Sequence, residues 1–263
     1  ILATIFFALL IGVRLLSLGY RGKPVADFMD ASSDVVLRIT HWIMEIAPFG
    51  VFALIARVTG AQGFDVLLNA VVLAVTVFIA CSAHVILMHG LIIMKMVLKL
   101  SPVMFFRGAR DAMLVAFSTS SSAATLPVSM SVAEENLGVK PIVASTVLPI
   151  GATINMDGTA LYECVAAIFI AQAYGLELTF ATQFTIVLVA LLTSIGVAGI
   201  PAASLVAITI ILTAIGLPIE AIGLILVTDR ILDMCRTAVN VFSDSCGTVV
   251  IAKSEGEDKV LAE

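Results

Sequence analysis

Long apolar runs separated by short polar breaks make up most of the chain. Four runs reach or nearly reach the ~20 mostly apolar residues that a transmembrane helix needs. They are 33–57, 64–98, 143–175 and 217–252, with a shorter apolar piece, 1–18, ahead of them. The breaks read "GYRGKPVADFMDASSD", "GAQGFD", "KLSPVMFFRGARD", "AEENLGVKP", "YGLELTF" and "IGLPIE". Two further runs fail the length test. "STSSSAATLP" cuts 102–136 and "SIGVAGIPAAS" cuts 180–215, leaving arms of about 10–14 residues, the length of segments that enter a membrane and turn back. The pattern predicts an all-α integral membrane protein with transmembrane helices and two re-entrant helical hairpins.

Composition agrees. Sixty per cent of the residues are hydrophobic and 13% are charged, against roughly 45–50% and about 25% for a soluble domain, and the mean hydropathy is +1.14. The expected surroundings are a lipid bilayer. The chain opens inside an apolar run, "ILATIFFALLIGVRLL", without an initiator methionine, basic leader or cleavage site, so it reads as the C-terminal part of a longer protein. Cys81, Cys164, Cys235 and Cys246 sit in apolar runs without metal or disulfide spacing and read as small hydrophobes.

Charge placement tests the hairpins. If neither hairpin crosses, Arg14, Arg21, Lys23, Arg38, Lys95, Lys99, Arg107, Arg110, Lys140, Lys253 and Lys259 fall on one side and Arg57 alone opposite. That bias orients the first side, and the C-terminus with it, toward the cytoplasm. Counting either cut segment as a crossing would split these charges between the two faces. Hairpin 102–136 then enters from the cytoplasm and precedes helix 143–175. Hairpin 180–215 enters from outside and precedes helix 217–252. Paired interrupted segments of this kind form an inverted repeat and point to a transporter's binding site, where non-helical backbone survives because protein or water satisfies it.

The polar residues in these segments carry the chemistry. The serine tip 120–122 offers hydroxyls and N–H groups near a helix start, where an anion is favoured. Asp233, Arg236, Thr237, Asn240 and Asp244 recur at steps of three and four and share one helix face. A charge at membrane depth costs roughly 2.5–3.5 kcal/mol, which makes each a functional candidate. The planar fork of Arg236 suits a carboxylate, and Asp233, one turn away, suits an ammonium group, so the pair predicts a pocket for an acidic amino acid. Asn155, Asp157 and Asp244 are hard oxygen donors, and a helix broken at Gly158 would add carbonyls for a cation, Na⁺ being the expected one. Glu163 lies just beyond the break with no basic neighbour in sequence, and a carboxyl buried without a counter-charge is a candidate proton carrier.

The motifs "SSSAATLPVSM", "GATINMDGTALYECVAAIFIAQ", "SIGVAGIP" and "DMCRTAVNVFSD", in this order, resemble those of the glutamate/aspartate transporter family of dicarboxylate/amino acid:cation symporters, sodium-coupled type. The resemblance implies a homotrimer with an elevator-type fold. Residues 1–62 would be a remnant of its scaffold, 63–253 the transport domain and 254–263 a cytoplasmic tail, with the N-terminal part missing. It implies that Ser122 and the backbone of Ile200 meet the substrate's α-carboxylate, helped by Asn240. Thr159 and Arg236 would meet its side-chain carboxylate beside Met156 and Gly199, and Asp233 and Thr237 its amino group. It implies one Na⁺ on Asp244 with the backbone oxygens of Gly151, Asn155 and Asn240. A second would rest on the carbonyls of Thr153, Ser194, Ile195 and Val197, and a third on Asn155 and Asp157, completed by a segment upstream. Glu163 stands where the animal carriers take up a proton. The tip serines Ser118, Ser120 and Ser121 read more plainly as solvation, although Ser121 is kept beside Ser122 among the substrate contacts. Ser120, Met234 and Ser204 depart from the family pattern.

Plainer readings remain for single residues. A lone Asp or Asn can glue membrane helices together, worth about 0.6 kcal/mol on average. His84 and His89, five apart in an apolar helix, would lie on different faces and form no metal site. Asp229 and Arg230 read as an interfacial pair. No G-x-S-x-G elbow supports an enzyme, and no surface suits a nucleic acid. An ion channel is disfavoured because Arg236 would repel the cations that Asp157 and Asp244 attract. A proton-coupled glutamate or C4-dicarboxylate symporter of the same fold is the other alternative. The expected function is uptake of L-glutamate or L-aspartate with Na⁺, and with H⁺ through Glu163, across a cell membrane such as the bacterial inner membrane, with no cofactor.

Overall fold

Prolines at helix starts and glycines just past helix ends place the boundaries in the computed structural model, which describes residues 2–63, 65–196, 199, 201–257 and 260–261. Every regular element among them is helical. The chain divides into two compact units, 1–64 and 65–263.

The first unit holds α1 (Leu2–Leu18), a 3-10 turn (Gly19–Gly22) and α2 (Lys23–Gln62). The polar break expected across "GYRGKPVADFMDASSD" shrinks to that turn. Pro24 sits in the first turn of α2, where its missing N–H has no helical partner to lose, so the helix starts ahead of the predicted run. At 40 residues, α2 is about 60 Å long, twice the ~30 Å of a bilayer's hydrocarbon core.

The second unit begins with α3 (Asp65–His84), continued without interruption by a π-helical segment (Val85–Val97). Then come α4 (Pro102–Thr119) and α5 (Ser122–Glu135), α6 (Pro141–Ile154) and α7 (Asp157–Ala173), and α8 (Phe180–Ser194) and α9 (Ser204–Ala214). A 3-10 turn (Ile219–Leu224) leads into α10 (Leu226–Ser254). The pairs α4–α5 and α8–α9 pack on each other as hairpins. The first arm is longer than predicted, at 18 residues, because Ser101 caps α4 and Pro102 opens it, which leaves "FFRGARD" helical. Gly175 and Gly216 adopt φ of 69° and 78°, open to glycine at little cost, and each follows a helix end. The last helix starts at Leu226 rather than 217, because Pro218 and the 3-10 turn intervene.

The 143–175 helix is broken as expected, but not at Gly158. The non-helical residues are Asn155 and Met156, with ψ of 72° and 58°, and Asp157 already opens α7. Gly158 serves packing instead. A Cβ there would stand 2.6 Å from the Arg236 carbonyl and 2.9 Å from the Val239 Cβ, so only glycine lets α7 come this close to α10.

Among the described residues, two stretches are long and apolar enough to cross a membrane, Leu68–Val97 and Pro141–Ala173. The first has a mean hydropathy of 2.5 and is mostly unburied within the fold, with Val71, Val75, Phe78 and Ile79 pointing outward. α10 is the opposite case. It packs against α3, α4, α5, α6 and α7, and residues 236–246 are buried without a gap although they include Arg236, Asn240 and Asp244. Buried polar groups are costly unless bonded, so the partners of these side chains define the site.

Candidate functional site

Four places in the chain converge on a cavity with about 250 Å³ of open space. The α4–α5 tip brings Ser120 and Ser122, and the α6–α7 break brings Met156 and Thr159. The α8–α9 tip brings Gly199, Ala203 and Ser204, and α10 brings Asp233, Arg236, Thr237 and Asn240. Of the substrate contacts expected from sequence, Ser122, Met156, Thr159, Gly199, Asp233, Arg236, Thr237 and Asn240 line the cavity. Ile200 lies outside the described residues.

Ser121 does not line the cavity; it builds the tip. Ser120 ends α4 in a left-handed conformation, φ 52°, and Ser121 then caps α5 by accepting from the Ala124 N–H at 3.1 Å. The Ser121 hydroxyl also donates to the Gly199 carbonyl at 2.7 Å, and the Ala123 N–H reaches the same oxygen at 3.3 Å. The two hairpin tips therefore meet over the cavity. Gly199 is packed so closely that a Cβ would stand 3.2 Å from the Ala152 carbonyl and 3.3 Å from the Ala123 nitrogen. The second tip is tied to α10 as well. Ala202 holds φ 60°, a conformation that costs a non-glycine roughly 1–2 kcal/mol, and its N–H donates to Asp233 Oδ2 at 2.9 Å.

Arg236 is the hub of the floor. Its Nη1 donates to Asp229 Oδ1 at 3.1 Å, and its guanidinium lies over the Tyr162 ring, 4.4 Å from the centroid. Nη2 stands 2.8 Å from Asp233 Oδ1, close enough for an ion pair, yet it has no aligned hydrogen-bond acceptor among the described residues. Tyr162 donates its hydroxyl to Asp229 Oδ1 at 2.9 Å. One buried cation thus faces two carboxylates, which leaves the floor short of one positive charge. The exposed Arg230 approaches Asp233 only to 4.0 Å. Asp229 is therefore not an interfacial partner of Arg230: it is 6% exposed and bound to Arg236. Its place seven residues before Arg236, two turns back on one face, was a usable signal. Ser120 and Ser204, two of the positions that depart from the family pattern, line the cavity with hydroxyls that lack partners among the described residues.

The expected cation ligands separate into groups. Asn155 Nδ2 donates to Asp244 Oδ1 at 2.9 Å and to Ser243 Oγ at 3.0 Å. Gly151 lies against the same carboxylate, where a Cβ would stand 2.7 Å from Asp244 Oδ1, so Gly151, Asn155 and Asp244 come together. Asn240 turns to Thr159, accepting from its N–H at 3.2 Å and donating to its hydroxyl at 2.9 Å. Thr153 is on the exposed side of α6, its hydroxyl donating to the Pro149 carbonyl. Ser194 is buried at the end of α8, its hydroxyl donating to Leu191, and Ile195 caps that helix; no hydrogen bond among the described residues joins them to Thr153. Val197 lies outside the described residues.

Asp157 points elsewhere. Its Oδ1 accepts from the Gly158 N–H at 2.9 Å, and its Oδ2 lies 2.7 Å from His84 Nε2 and 3.4 Å from His89 Nε2. His84 and His89 do not lie on different faces. In an α-helix five residues rotate about 140° past a full turn, but the chain from Val85 onward is π-helical, with i→i+5 bonding that makes five residues close to one turn. Their rings stand edge to face at 4.9 Å. Nothing in the apolar sequence "VILMHGLIIMKMV" announces this register. Glu163 is fully buried; its Oε2 meets the Thr193 hydroxyl at 3.0 Å, and its Oε1 has no partner among the described residues.

Comparison with known proteins extends the picture to most of the chain. The model of the sodium:dicarboxylate symporter family matches residues 1–254. The chain is 41% identical over 255 residues to an excitatory amino acid transporter of Caenorhabditis elegans, covering 95% of this chain and 50% of that protein. It is 41% identical over 254 residues to excitatory amino acid transporter 3 of Homo sapiens, covering 96% and 48%. It is 38% identical over 256 residues to the proton/sodium-glutamate symport protein of Bacillus subtilis, covering 97% and 59%. The chain thus spans about half the length of these animal relatives.

Proposed function

The chain belongs to the sodium:dicarboxylate symporter family, and on that premise we propose that it forms the substrate- and ion-binding part of a symporter that takes up L-glutamate or L-aspartate with Na⁺. The observation that carries this reading is the floor of the cavity, where Arg236 is held between Asp229 and Asp233 under two touching hairpin tips.

An acidic amino acid complements that floor. Its ammonium group supplies the missing positive charge beside Asp233, and a carboxylate takes the unaligned Nη2 of Arg236. Ser120, Ser122 and Ser204 offer hydroxyls to the other carboxylate. Closing the α8–α9 tip over the ligand uses the Ala202 bond to Asp233 as its latch. Na⁺ joins at Gly151, Asn155 and Asp244, where neutralising the Asp244 carboxylate frees the Asn155 amide to turn. A second Na⁺ takes the carbonyls of Thr153, Ser194, Ile195 and Val197, and Glu163 carries a proton between α7 and α8. In this reading the hairpins are re-entrant, residues 63–253 move as an elevator against a trimeric scaffold that includes 1–62, and the C-terminus faces the cytoplasm.

The test is uptake of labelled L-glutamate and L-aspartate into proteoliposomes holding the full-length parent protein. An inward Na⁺ gradient is expected to drive uptake, and an inward proton gradient without Na⁺ is not. Uptake on the proton gradient alone would remove Asp244 as a cation ligand. No uptake of either amino acid would overturn the pocket.

A further inference from the structure

The junction of α3 with the π-helical segment gathers three ligating side chains around one point: His84, His89 and Asp157 each offer one ligand atom, and the three atoms lie within 4.8 Å of one another. We propose that these residues bind a divalent transition-metal ion, and that the bound ion arrests the transport cycle by tethering the first turn of α7 to the π segment.

The geometry and the chemistry of the donors agree. With metal–ligand bonds of about 2.0–2.1 Å, two ligands on a tetrahedral ion stand roughly 3.3 Å apart. The Asp157 oxygen is 2.7 Å from one imidazole and 3.4 Å from the other, so small side-chain rotations suffice. Imidazole nitrogen with one carboxylate selects ions such as Zn²⁺ over Na⁺ or Ca²⁺, which prefer oxygen alone. His89 Nε2 also lies 3.0 Å from Ser243 Oγ, a contact that the ion would displace, and the other groups are already oriented. The Gly158 N–H holds Asp157 Oδ1, turning Oδ2 to the histidines, and the Phe242 ring stands edge to face with His89 at 5.7 Å. Three protein ligands leave a fourth position for water, an open coordination unlike that of four-ligand structural sites. The His84 and Asp157 side chains are 24% and 23% exposed, which gives the ion a way in.

The register is the second argument. A π-helix is rare, mostly confined to single-turn bulges, and concentrated at functional sites. Here it runs for 13 residues and starts directly after the first histidine. An α-helical continuation would carry His89 away from Asp157. The consequence for transport follows from Asp157 itself, which cannot serve an alkali cation while a tighter-binding ion holds its carboxylate.

The experiment uses the purified full-length parent protein with any histidine tag removed. Calorimetric titration with ZnCl₂ is expected to show one saturable site per chain. CoCl₂ is expected to give the intense visible bands of a tetrahedral nitrogen–oxygen site. His84→Ala and His89→Ala should each weaken Zn²⁺ binding at least tenfold, and His84→Gln, which keeps the volume and a polar end, should do the same. Absence of saturable binding in the wild type, unchanged binding in the histidine variants, or a thiolate-to-cobalt charge-transfer band would each overturn the proposal. In proteoliposomes Zn²⁺ should slow Na⁺-driven uptake of the wild type and spare His84→Gln; equal inhibition of both would overturn the tether. The binding measurements do not depend on the transported substrate, so their failure is separable from failure of the symport reading.

Discussion

The Thr193 hydroxyl lies 3.0 Å from Glu163 Oε2 and 2.8 Å from the Val189 carbonyl, with a single proton to give. If Glu163 is ionised, Thr193 must spend that proton on the carboxylate. If Glu163 is protonated, it donates to Thr193 and Thr193 donates to Val189, and both contacts are made. The protonated carboxyl is therefore the form that fits this arrangement, and it joins α7 to the arm that leads to the second tip.

Glu163→Gln keeps a donor at this place permanently. Exchange of labelled L-aspartate across proteoliposomes should slow in the wild type as pH rises and Glu163 loses its proton. The variant should lose that dependence. Parallel pH profiles for the two proteins would exclude Glu163 as the proton carrier.

Ser121→Ala removes the cap of α5 and the shorter of the two bonds between the tips together. Loss of the cap alone costs about 1 kcal/mol. With Ala203→Cys as a reporter in the full-length protein, thiol labelling should slow when Na⁺ and L-aspartate are present, and Ser121→Ala should raise the unliganded rate several-fold. Labelling that ignores Na⁺ would exclude this tip as a gate.

Asp233→Asn should distinguish the charge of the substrate. If Asp233 holds an ammonium group, competition by L-aspartate should weaken at least tenfold while competition by succinate, which has no amino group, is spared. An equal loss for both would place Asp233 in a purely structural role on Arg236.

Arg236→Met leaves Asp229 and Asp233 buried without their cation, a change that costs about 3–5 kcal/mol when one partner of a buried pair is lost. Asp229→Asn keeps an oxygen for Tyr162 and should cost less. Thermal unfolding in detergent is expected to rank wild type, Asp229→Asn and Arg236→Met in falling order, and a reversed order would deny Arg236 its place as hub.

Gly158→Ala forces a methyl group to within 2.6 Å of the Arg236 carbonyl. Overpacking of this kind costs about 1–3 kcal/mol. Gly247, on the same last helix, has open space where a Cβ would stand, so Gly247→Ala should be neutral or gain slightly. A scan showing equal melting temperatures for both variants would contradict the close contact of α7 with α10.

Much of the site was legible because charge is rare in this chain. Asp233, Arg236, Asn240 and Asp244 stood out at helical spacing in a chain that is 13% charged, and the cavity gathers the first three. The helix boundaries were less so. "GYRGKPVADFMDASSD" looked like a polar linker, but Pro24 is harmless at a helix start and the rest is good helix. Gly158 looked like the breaker, since a glycine needed for contact and a glycine needed for φ are the same letter. Asp229 was set aside because its neighbour Arg230 offered a partner in sequence, whereas the partners that matter, Tyr162 and Arg236, are brought in by α7 and by two turns of α10. His84 and His89 were misjudged because the α period was assumed for a segment whose hydrogen bonds skip five.

Gly151 and Gly158 flank the break, and each receives an atom of α10, the Asp244 carboxylate and the Arg236 carbonyl. Advancing either helix by one residue, about 1.5 Å, would drive Asp157 or Thr159 into the space that Gly158 leaves empty. The two segments have no stable slipped register, so the close packing of α6 and α7 on α10 fixes the backbone positions of Asn155, Thr159, Asn240 and Asp244 relative to one another. In the proposed symporter this makes the ion and solute site a rigid gauge, with access to it left to the parting of the tips and the travel of the whole frame.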